Sequence, residues 1–283
     1  MRFSQRVIAF GGYLLSVIKS VSSYDGVKIV YDDNGQATGS NPALDAIVFI
    51  HGWTCNRKHW QNQVTEFSDR YRTIAIDLAG HGESGLGRSE YSMPAFARDV
   101  ASVLEQEHIS RAVLVGHSMG GMVILHTARL LGNKIVGLVG ADTFKYLRDT
   151  PRSGRQSEQL QVMARDYDSF VQTMVQGMFA DDTPDALRKS ISDGMIATPR
   201  EVGFSAMKGM AEDEPLFDLA KSLKIAKMTI NATGRGMDEA AIRDAGVDLR
   251  KIATKSHFVM NENPKEFNRL LREAVESNLQ VLN

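Results

Sequence analysis

The chain has 283 residues, 43% of them hydrophobic, so it can bury the core of one large domain. Its 33 Lys and Arg residues balance 34 Asp and Glu residues, and the net charge of -1 provides no field that would attract nucleic acid. The single cysteine, Cys55, excludes an intrachain disulfide and a cysteine metal cluster. These properties favour a protein that acts on small molecules.

The amino-terminal segment allows two interpretations. Arg2 and Arg6 precede the apolar run VIAFGGYLLSVI, and serines follow it, which resembles a signal peptide. Against cleavage, apolar residues recur at alternating spacings of four and three, as in one helical stripe: Phe3, Val7, Phe10, Leu14, Val17 and Val21. We expect a retained helix over residues 1–22 that packs on the body, in a homodimer or on a membrane surface. Location stays open, with the cytoplasm favoured over export.

After a polar turn at DDNGQATGSNP, short apolar strands alternate with helical patterns. The predicted strands are Ala46–Ile50, Thr73–Asp77, Ala112–Gly116, Ile135–Gly140, Lys227–Thr233 and Leu249–Thr254. The predicted helices lie near Trp60–Phe67, Met93–Gln106, Ser118–Leu131 and Pro264–Leu279. This alternation predicts an α/β fold with a mostly parallel sheet flanked by helices. The last helix has the clearest start, with Asn263 as its N-cap.

The strand spacing breaks between Phe144 and Leu223, where no buried strand is evident. This region is rich in methionine: Met163, Met174, Met178, Met195, Met207 and Met210. We predict a helical cap over residues 144–223, inserted before the last two strands, with residues 23–143 and 224–283 as the core. The thioethers could line an apolar pocket, although packing of the cap on the core is the more general explanation for most of them.

The stretch VLVGHSMGGMVIL, Val113 to Leu125, places one serine between a strand and a helix. Aliphatic residues indicate a buried strand before Gly116, and helical spacing begins after Met119. Glycines on both sides of Ser118 allow a sharp turn that exposes its hydroxyl. A G-x-S-x-G match alone arises often by chance, but the flanking elements make Ser118 the candidate nucleophile.

A serine nucleophile needs hydrogen-bond donors for the oxyanion that forms during its attack. The loop in IVFIHGWTC follows a predicted strand, so it lies with the serine at the carboxyl edge of the sheet. We therefore expect the backbone N–H groups of Trp53 and Met119 to form the oxyanion hole. His51 is assigned a supporting role in this loop.

The serine also needs a general base, which we expect on a loop after the last strand. His257 is so placed, between that strand and the capped helix. The remaining histidines lie inside elements, in turns, at the elbow or in surface and packing positions: His51, His59, His81, His108, His117 and His126. His257 is therefore the candidate base.

Four motifs together resemble the serine-dependent α/β-hydrolase family: HGWTCNRKHW, AIDLAGHGESG, VGHSMGG and SHFVMNENPKEF. The similarity extends over nearly the whole chain apart from the amino-terminal segment. It implies the α/β-hydrolase fold and the chain order serine, acid, histidine, in which Ser118 and His257 occupy the matching positions. It also argues against the epoxide-hydrolase and haloalkane-dehalogenase branches, whose elbow carries an aspartate in place of the serine.

The position of the third triad member, the carboxylate that orients the histidine, departs from the common family pattern. This carboxylate usually follows the strand after the cap, where this chain has Thr233 and Gly234. Asp238 comes several residues later and equally suits the N-cap of a helix starting at Glu239. Asp142 directly ends an earlier strand, a position where some family members carry the acid. Because an orienting carboxylate needs a rigid seat beside the imidazole, we favour Asp142 over Asp238.

The expected function is hydrolysis of a small-molecule carboxylic ester through an acyl-serine, with Ser118, His257 and Asp142 as the triad and neither cofactor nor metal. The same groups could serve a thioesterase, lactonase, carbon–carbon hydrolase or perhydrolase, because fold and triad do not fix the substrate. A ligand receptor with residual hydrolysis is the alternative from another class.

Overall fold

A computed structural model describes residues 16–35, 44–148 and 154–280. Its centre is an eight-stranded sheet in the order β1-β2-β4-β3-β5-β6-β7-β8. The strands are β1 Val17–Ser22, β2 Lys28–Asp33, β3 Ala46–Ile50, β4 Thr73–Asp77, β5 Ala112–His117, β6 Ile135–Ala141, β7 Ala226–Ala232 and β8 Asp248–Ile252. The β2 strand is antiparallel to both neighbours, and the remaining pairs are parallel. The predicted mostly parallel sheet is confirmed.

The helices of the core flank the sheet and bury its central strands. They are α1 Gln61–Phe67, α2 Met93–Gln106, α3 Met119–Leu131, α9 Glu239–Asp244, α10 Val259–Glu262 and α11 Pro264–Gln280. The α2 helix packs against α3, and α1 packs against α11. Every residue of β3, β4 and β5 is buried as a result, which explains why these strands are apolar without alternation.

A helical insert lies between β6 and β7, as predicted. It contains α4 Gly154–Arg165, α5 Tyr167–Gln176, α6 Asp185–Ile196, α7 Arg200–Ala211 and α8 Leu216–Ser222. Hydrogen bonds join this cap to the loop after β3: Trp53 Nε1–H donates to Gly203 O at 2.8 Å, and Thr198 Oγ1 donates to Thr54 O at 3.0 Å. The cap is thereby held over the carboxyl ends of the strands.

The predicted amino-terminal helix is wrong where the structure describes it. Residues 17–22 form strand β1, and the rest of the stripe (Phe3, Val7, Phe10 and Leu14) falls outside the described residues, as do the contacts expected of it. A spacing of four residues places Val17 and Val21 on one face of either a helix or a strand, so it cannot distinguish the two. The β-branched residues Val17, Ile18 and Val21 favour the strand.

The polar turn predicted from Asp32 onward is also displaced, because Asp32 and Asp33 belong to β2. Both aspartates have partners there: Arg57 Nε donates to Asp32 at 2.9 Å, and Lys19 Nζ donates to Asp33 at 2.7 Å. Within the described ranges, none of the helices has the length and apolar character needed to cross a membrane.

Candidate active site

Ser118 occupies the turn between β5 and α3, where its φ of 52° and ψ of -115° are unusual for a residue with a Cβ. Ser118 N–H donates to Ala141 O at 3.1 Å, and Thr143 Oγ1 donates to Ser118 O at 2.8 Å. The turn requires glycine on both sides, since a Cβ at Gly116 would lie 2.3 Å from Gly120 O. The sharp turn predicted from these glycines is confirmed, and its backbone is strained at Ser118.

The loop after β3 packs directly on this turn. A Cβ at Gly52 would lie 2.8 Å from His117 Nδ1 and 3.2 Å from Ser118 Cβ, so the close approach requires glycine. The backbone N–H groups of Trp53 and Met119 have no acceptor among the residues that the structure describes. Both donors are therefore available near the serine, and their role as the oxyanion hole remains a prediction.

His51 supports this loop, as its sequence position indicated. The ring is fully buried; Nδ1–H donates to Gly52 O at 2.8 Å, and Nε2 accepts from Leu78 N–H at 3.1 Å. Burial, together with the neighbouring His81, lowers the pKa of His51 well below its ordinary value. His51 is therefore a neutral structural residue.

His257 lies on the loop between β8 and α10 and points Nδ1 at Asp142 Oδ2, at a distance of 2.5 Å. The carboxylate can only accept, so Nδ1 carries the proton and Nε2 is left as a proton acceptor. Ser118, His257 and Asp142 all line the same cavity. The structure thus brings together the three residues that the sequence singled out.

Burial raises the pKa of Asp142, but the hydrogen bonds and charges of His257 and Lys145 outweigh this effect and lower the pKa to about 2. Burial lowers the pKa of His257, and Asp142 restores part of the loss. At neutral pH the pair therefore consists of a carboxylate and a neutral imidazole, which is the state that a general base requires.

Buried hydrogen bonds hold Asp142 and the residue after it in place. The φ of Asp142, 48°, lies in the left-handed region, as does that of Ser118. Asp142 Oδ1 accepts from Ala232 N–H at 2.9 Å. The Asn231 side chain donates to Thr143 O at 3.0 Å and accepts from Thr143 N–H at 3.1 Å. The sequence motifs did not point to Asn231 or Thr143, although an asparagine inside an apolar strand was the available signal.

Asp238, the alternative acid, does not line the cavity, although its backbone N–H donates to Lys145 O at 2.7 Å. Its side chain accepts from Ala241 N–H at 2.9 Å and caps α9. The N-cap interpretation of this residue is therefore confirmed. Its carboxylate remains half exposed, beside Arg148.

His117, next to the nucleophile, holds the loop of the candidate base. Its Nε2–H donates to His257 O at 3.0 Å, and the two rings lie 4.7 Å apart. The backbone N–H of His257 also donates to Met178 O of the cap, at 2.7 Å. The elbow and the cap thus fix the position of His257 from two sides, a relation that sequence order alone did not indicate.

The cavity above Ser118 has a volume of about 370 Å³, within the range for small-molecule sites. Seven methionines contribute to its wall: Met119, Met122, Met174, Met178, Met195, Met207 and Met210. Five of the six cap methionines singled out in the sequence are among them, whereas Met163 is fully buried elsewhere. The methionines give the cavity an apolar, adaptable portion of wall, beside charged residues that include Lys145 and Glu214.

One group of described residues has the spacing of metal ligands: Asp213 and Glu214 in the cavity wall, with the buried His126 behind them. His126 Nε2 lies 2.9 Å from Asp213 Oδ2, and Arg129 Nη2 donates to His126 Nδ1 at 2.9 Å. Arg129 also pairs with Glu214 at 2.6 Å. Both ring nitrogens of His126 have partners and Arg129 pairs with Glu214, so these residues form a hydrogen-bonded ion network and fit a metal poorly.

Comparisons with known proteins agree with this architecture. A profile of the "Alpha/beta hydrolase family" matches residues 47–270. The non-heme chloroperoxidase of Streptomyces lividans is 39% identical over 103 residues, which cover 36% of this chain and 36% of that protein. The match therefore spans only about a third of this curated relative's length.

Two solved structures resemble nearly the whole chain. A thermophilic esterase from Thermogutta terrifontis has a TM-score of 0.79 at 23% identity, covering 92% of this chain and 98% of that one. An esterase from Exiguobacterium antarcticum has a TM-score of 0.78 at 21% identity, covering 91% and 99%. At these identities the likeness shows the fold alone. Because the family match extends over most of the sequence, this chain belongs to the alpha/beta hydrolase family.

Proposed function

We propose that the protein is a carboxylic-ester hydrolase that works through an acyl-serine intermediate. The observation that carries the proposal is the pair of His257 Nδ1 and Asp142 Oδ2, 2.5 Å apart, in a cavity that also contains Ser118 on its strained turn. A base held by a carboxylate, in one cavity with a half-buried serine, is the set of groups that nucleophilic acyl transfer needs.

In the proposed reaction, Ser118 Oγ attacks the ester carbonyl carbon while His257 Nε2 takes the hydroxyl proton. Asp142 stabilises the resulting imidazolium through Nδ1–H, and the N–H groups of Trp53 and Met119 bind the tetrahedral oxyanion. His257 then gives the proton to the departing alcohol. Water, deprotonated by the same nitrogen, hydrolyses the acyl-serine and returns the enzyme to its starting state.

The wall of the cavity indicates which esters are accepted. The methionines of the cap provide an apolar and deformable surface, so the acyl or alcohol group in this space is expected to be uncharged and apolar. A volume of about 370 Å³ suits a small ester better than a polymer chain.

The decisive experiment combines Ser118→Ala with a panel of p-nitrophenyl esters of increasing acyl length. The parent is expected to turn over short esters many times and to be labelled at Ser118 by an organophosphonate, because the elbow exposes its hydroxyl. Ser118→Ala should lose nearly all hydrolysis while it keeps the melting temperature within a few degrees. Undiminished turnover in this variant would refute the proposal.

The same panel distinguishes the rivals. A ligand receptor with residual chemistry would release about one equivalent of p-nitrophenol and then stop, because deacylation would be slow. Thioesters and lactones belong in the panel, since the same groups could attack them. A kcat/KM for either class well above that for every simple ester would change the substrate class but retain the acyl-serine chemistry.

A further inference from the structure

Asp142 has a second close partner besides His257. Lys145 Nζ lies 2.6 Å from Oδ2, the same oxygen that accepts from His257 Nδ1 at 2.5 Å. The side chains of Lys145 and Asp142 are 12% and 0% exposed, so water screens this ion pair little. One carboxylate oxygen therefore accepts from both the Lys145 ammonium group and the candidate base, and Asp142 offsets part of the burial effect that lowers the pKa of Lys145.

The backbone after β6 is shaped to bring Lys145 back over Asp142. Asp142 and Phe144 both have a positive φ, of 48° and 58°, although neither is glycine. Such a conformation is costly and persists only where the surroundings hold it. It places Lys145, three residues along the chain, beside the carboxylate and in the wall of the cavity.

Other charged groups face the pair from neighbouring elements. Arg235, between β7 and α9, has Nε 3.7 Å from Asp142 Oδ2, but its side chain is 30% exposed and Nη1 donates to Gly177 O and Lys255 O. Lys255, on the loop of His257, is 70% exposed and faces Asp181 at 3.6 Å. From β5, His117 is neutral because burial holds its pKa well below the ordinary value. Lys145 is thus the cation most strongly coupled to Asp142, whereas Arg235 and Lys145 both lower the pKa of His257, with Arg235 having the larger direct effect.

We propose that Lys145 is a positioning residue that fixes the Asp142 carboxylate. Its positive charge also offsets part of the negative charge that would otherwise stabilise protonated His257. The base then stays neutral, and able to accept a proton, in weakly acidic solution. The kinetic consequence rests on the proposed function. The proton affinity of His257 can nevertheless be measured without turnover.

The test is an NMR titration of the protein with 15N-labelled histidine in the Ser118→Ala background, with His257 assigned from the signal lost in His257→Ala. Replacing Lys145 by Met should raise the titration midpoint of His257 by about one pH unit, because Nζ and Nδ1 lie within 2.6 Å of the same oxygen and a charge within about 4–6 Å of a titrating group shifts its pKa by roughly one unit or more. Lys145→Arg should restore the parent midpoint. Lys189→Met removes an exposed ion pair of the same 2.6 Å length in α6, and should change nothing.

Lys145→Gln distinguishes the effect of the lysine charge from that of its hydrogen bond to Asp142, because glutamine keeps a hydrogen-bond donor and removes the charge. It also carries the test if the Met variant fails to fold. A raised midpoint in Lys145→Gln supports the proposal, whereas a parental midpoint in the folded Gln variant overturns it.

In the active enzyme, the pH at which kcat/KM falls to half on the acid side should move upward by the same interval. Retained hydrolysis in Ser118→Ala would contradict the proposed function but leave the titration result valid.

Discussion

Asp142 and Asp238 show how the surroundings of a residue decide its role. Asp142→Asn should lower kcat on the order of ten-thousand-fold, because the amide cannot hold His257 in the tautomer with a proton on Nδ1. Asp238→Asn should leave kcat within about twofold, since asparagine caps a helix as well as aspartate does. Ester turnover of both variants, with urea unfolding as the control for folding, gives the comparison. The reverse ranking of the two would assign the orienting role to Asp238.

The lowered pKa of His257 predicts how activity depends on pH. Burial disfavours the imidazolium, and Asp142 compensates only in part, so the acid limb of kcat/KM should lie below the ordinary histidine value of 6.5. A profile between pH 4 and pH 8 on a neutral p-nitrophenyl ester measures it, with initial rates corrected for any loss of folded protein. An acid limb above pH 6.5 would contradict the burial effect.

The same shifts also make the folded protein less stable in acid. The unfolded chain protonates His257 at its ordinary pKa while the folded chain resists, so stability falls as the pH drops below 6.5. Asp142, with a pKa of about 2, contributes stability above its ordinary value of 3.8, and that contribution is lost as the pH falls toward 2. Both groups therefore act in the same direction.

Individual elements differed in how well the sequence predicted them, for physical reasons. The β5 strand and α3 follow from local signals, namely an aliphatic run, two glycines and helical spacing. The β1 strand was missed because its apolar spacing fits two periods. The contact of Lys145 with Asp142 was not predicted because it depends on the positive φ angles of Asp142 and Phe144, which these residue types do not signal. The contact of His126 with Asp213 joins residues that are distant in the sequence.

The region around α5 offers a test of the cap as the source of selectivity. Met174 and Met178 line the cavity, so Met174→Ala or Met178→Ala should enlarge it and raise kcat/KM for bulky acyl esters relative to short ones by about tenfold. Met163→Ala is the matched control, because Met163 is fully buried but does not line the cavity. It should cost about 2–5 kcal/mol of stability and leave the acyl profile unchanged. Identical profiles in the parent and both cavity variants would argue against this role.

Across the whole molecule, each part of the candidate site comes from the carboxyl end of a different strand. The loop after β3, the turn after β5, the acid after β6 and the histidine after β8 meet there, and the cap covers them. Parallel strands make this convergence automatic, which is why the sequence alone sufficed to bring Ser118 and His257 together. The sequence alone could not decide between Asp142 and Asp238 as the candidate acid. That comparison depends on the register between β6 and β7, which brings the Asp142 side chain to the Ala232 N–H.

Strand β1 forms one lateral edge of the sheet, at the end of the strand order away from β8. Ion pairs and hydrogen bonds, as well as backbone pairing with β2, hold it on the core. Lys19 donates to the buried Asp33 at 2.7 Å and to Glu107 at 3.0 Å, and Ser23 donates to Asp99 at 2.5 Å. Burial raises the pKa of Asp33, but Arg72 and Lys19 lower it to about 2. Removing Lys19 would leave a buried carboxylate with fewer partners.

A chain beginning at Tyr24, as after removal of a signal peptide, would lack β1. We expect it to unfold at lower urea concentration than a chain beginning at Ser16, with a loss of about 2 kcal/mol or more, because the edge of β2 and the Asp33 carboxylate both lose partners. The Ser16 chain is the control, since it retains the whole strand. Ester turnover of the two, measured where both are folded, should agree because the candidate site lies far from β1 in the strand order. Intact-mass measurement of the protein from its natural host shows which chain exists there. Equal urea midpoints for the two chains would refute a stabilising role for β1.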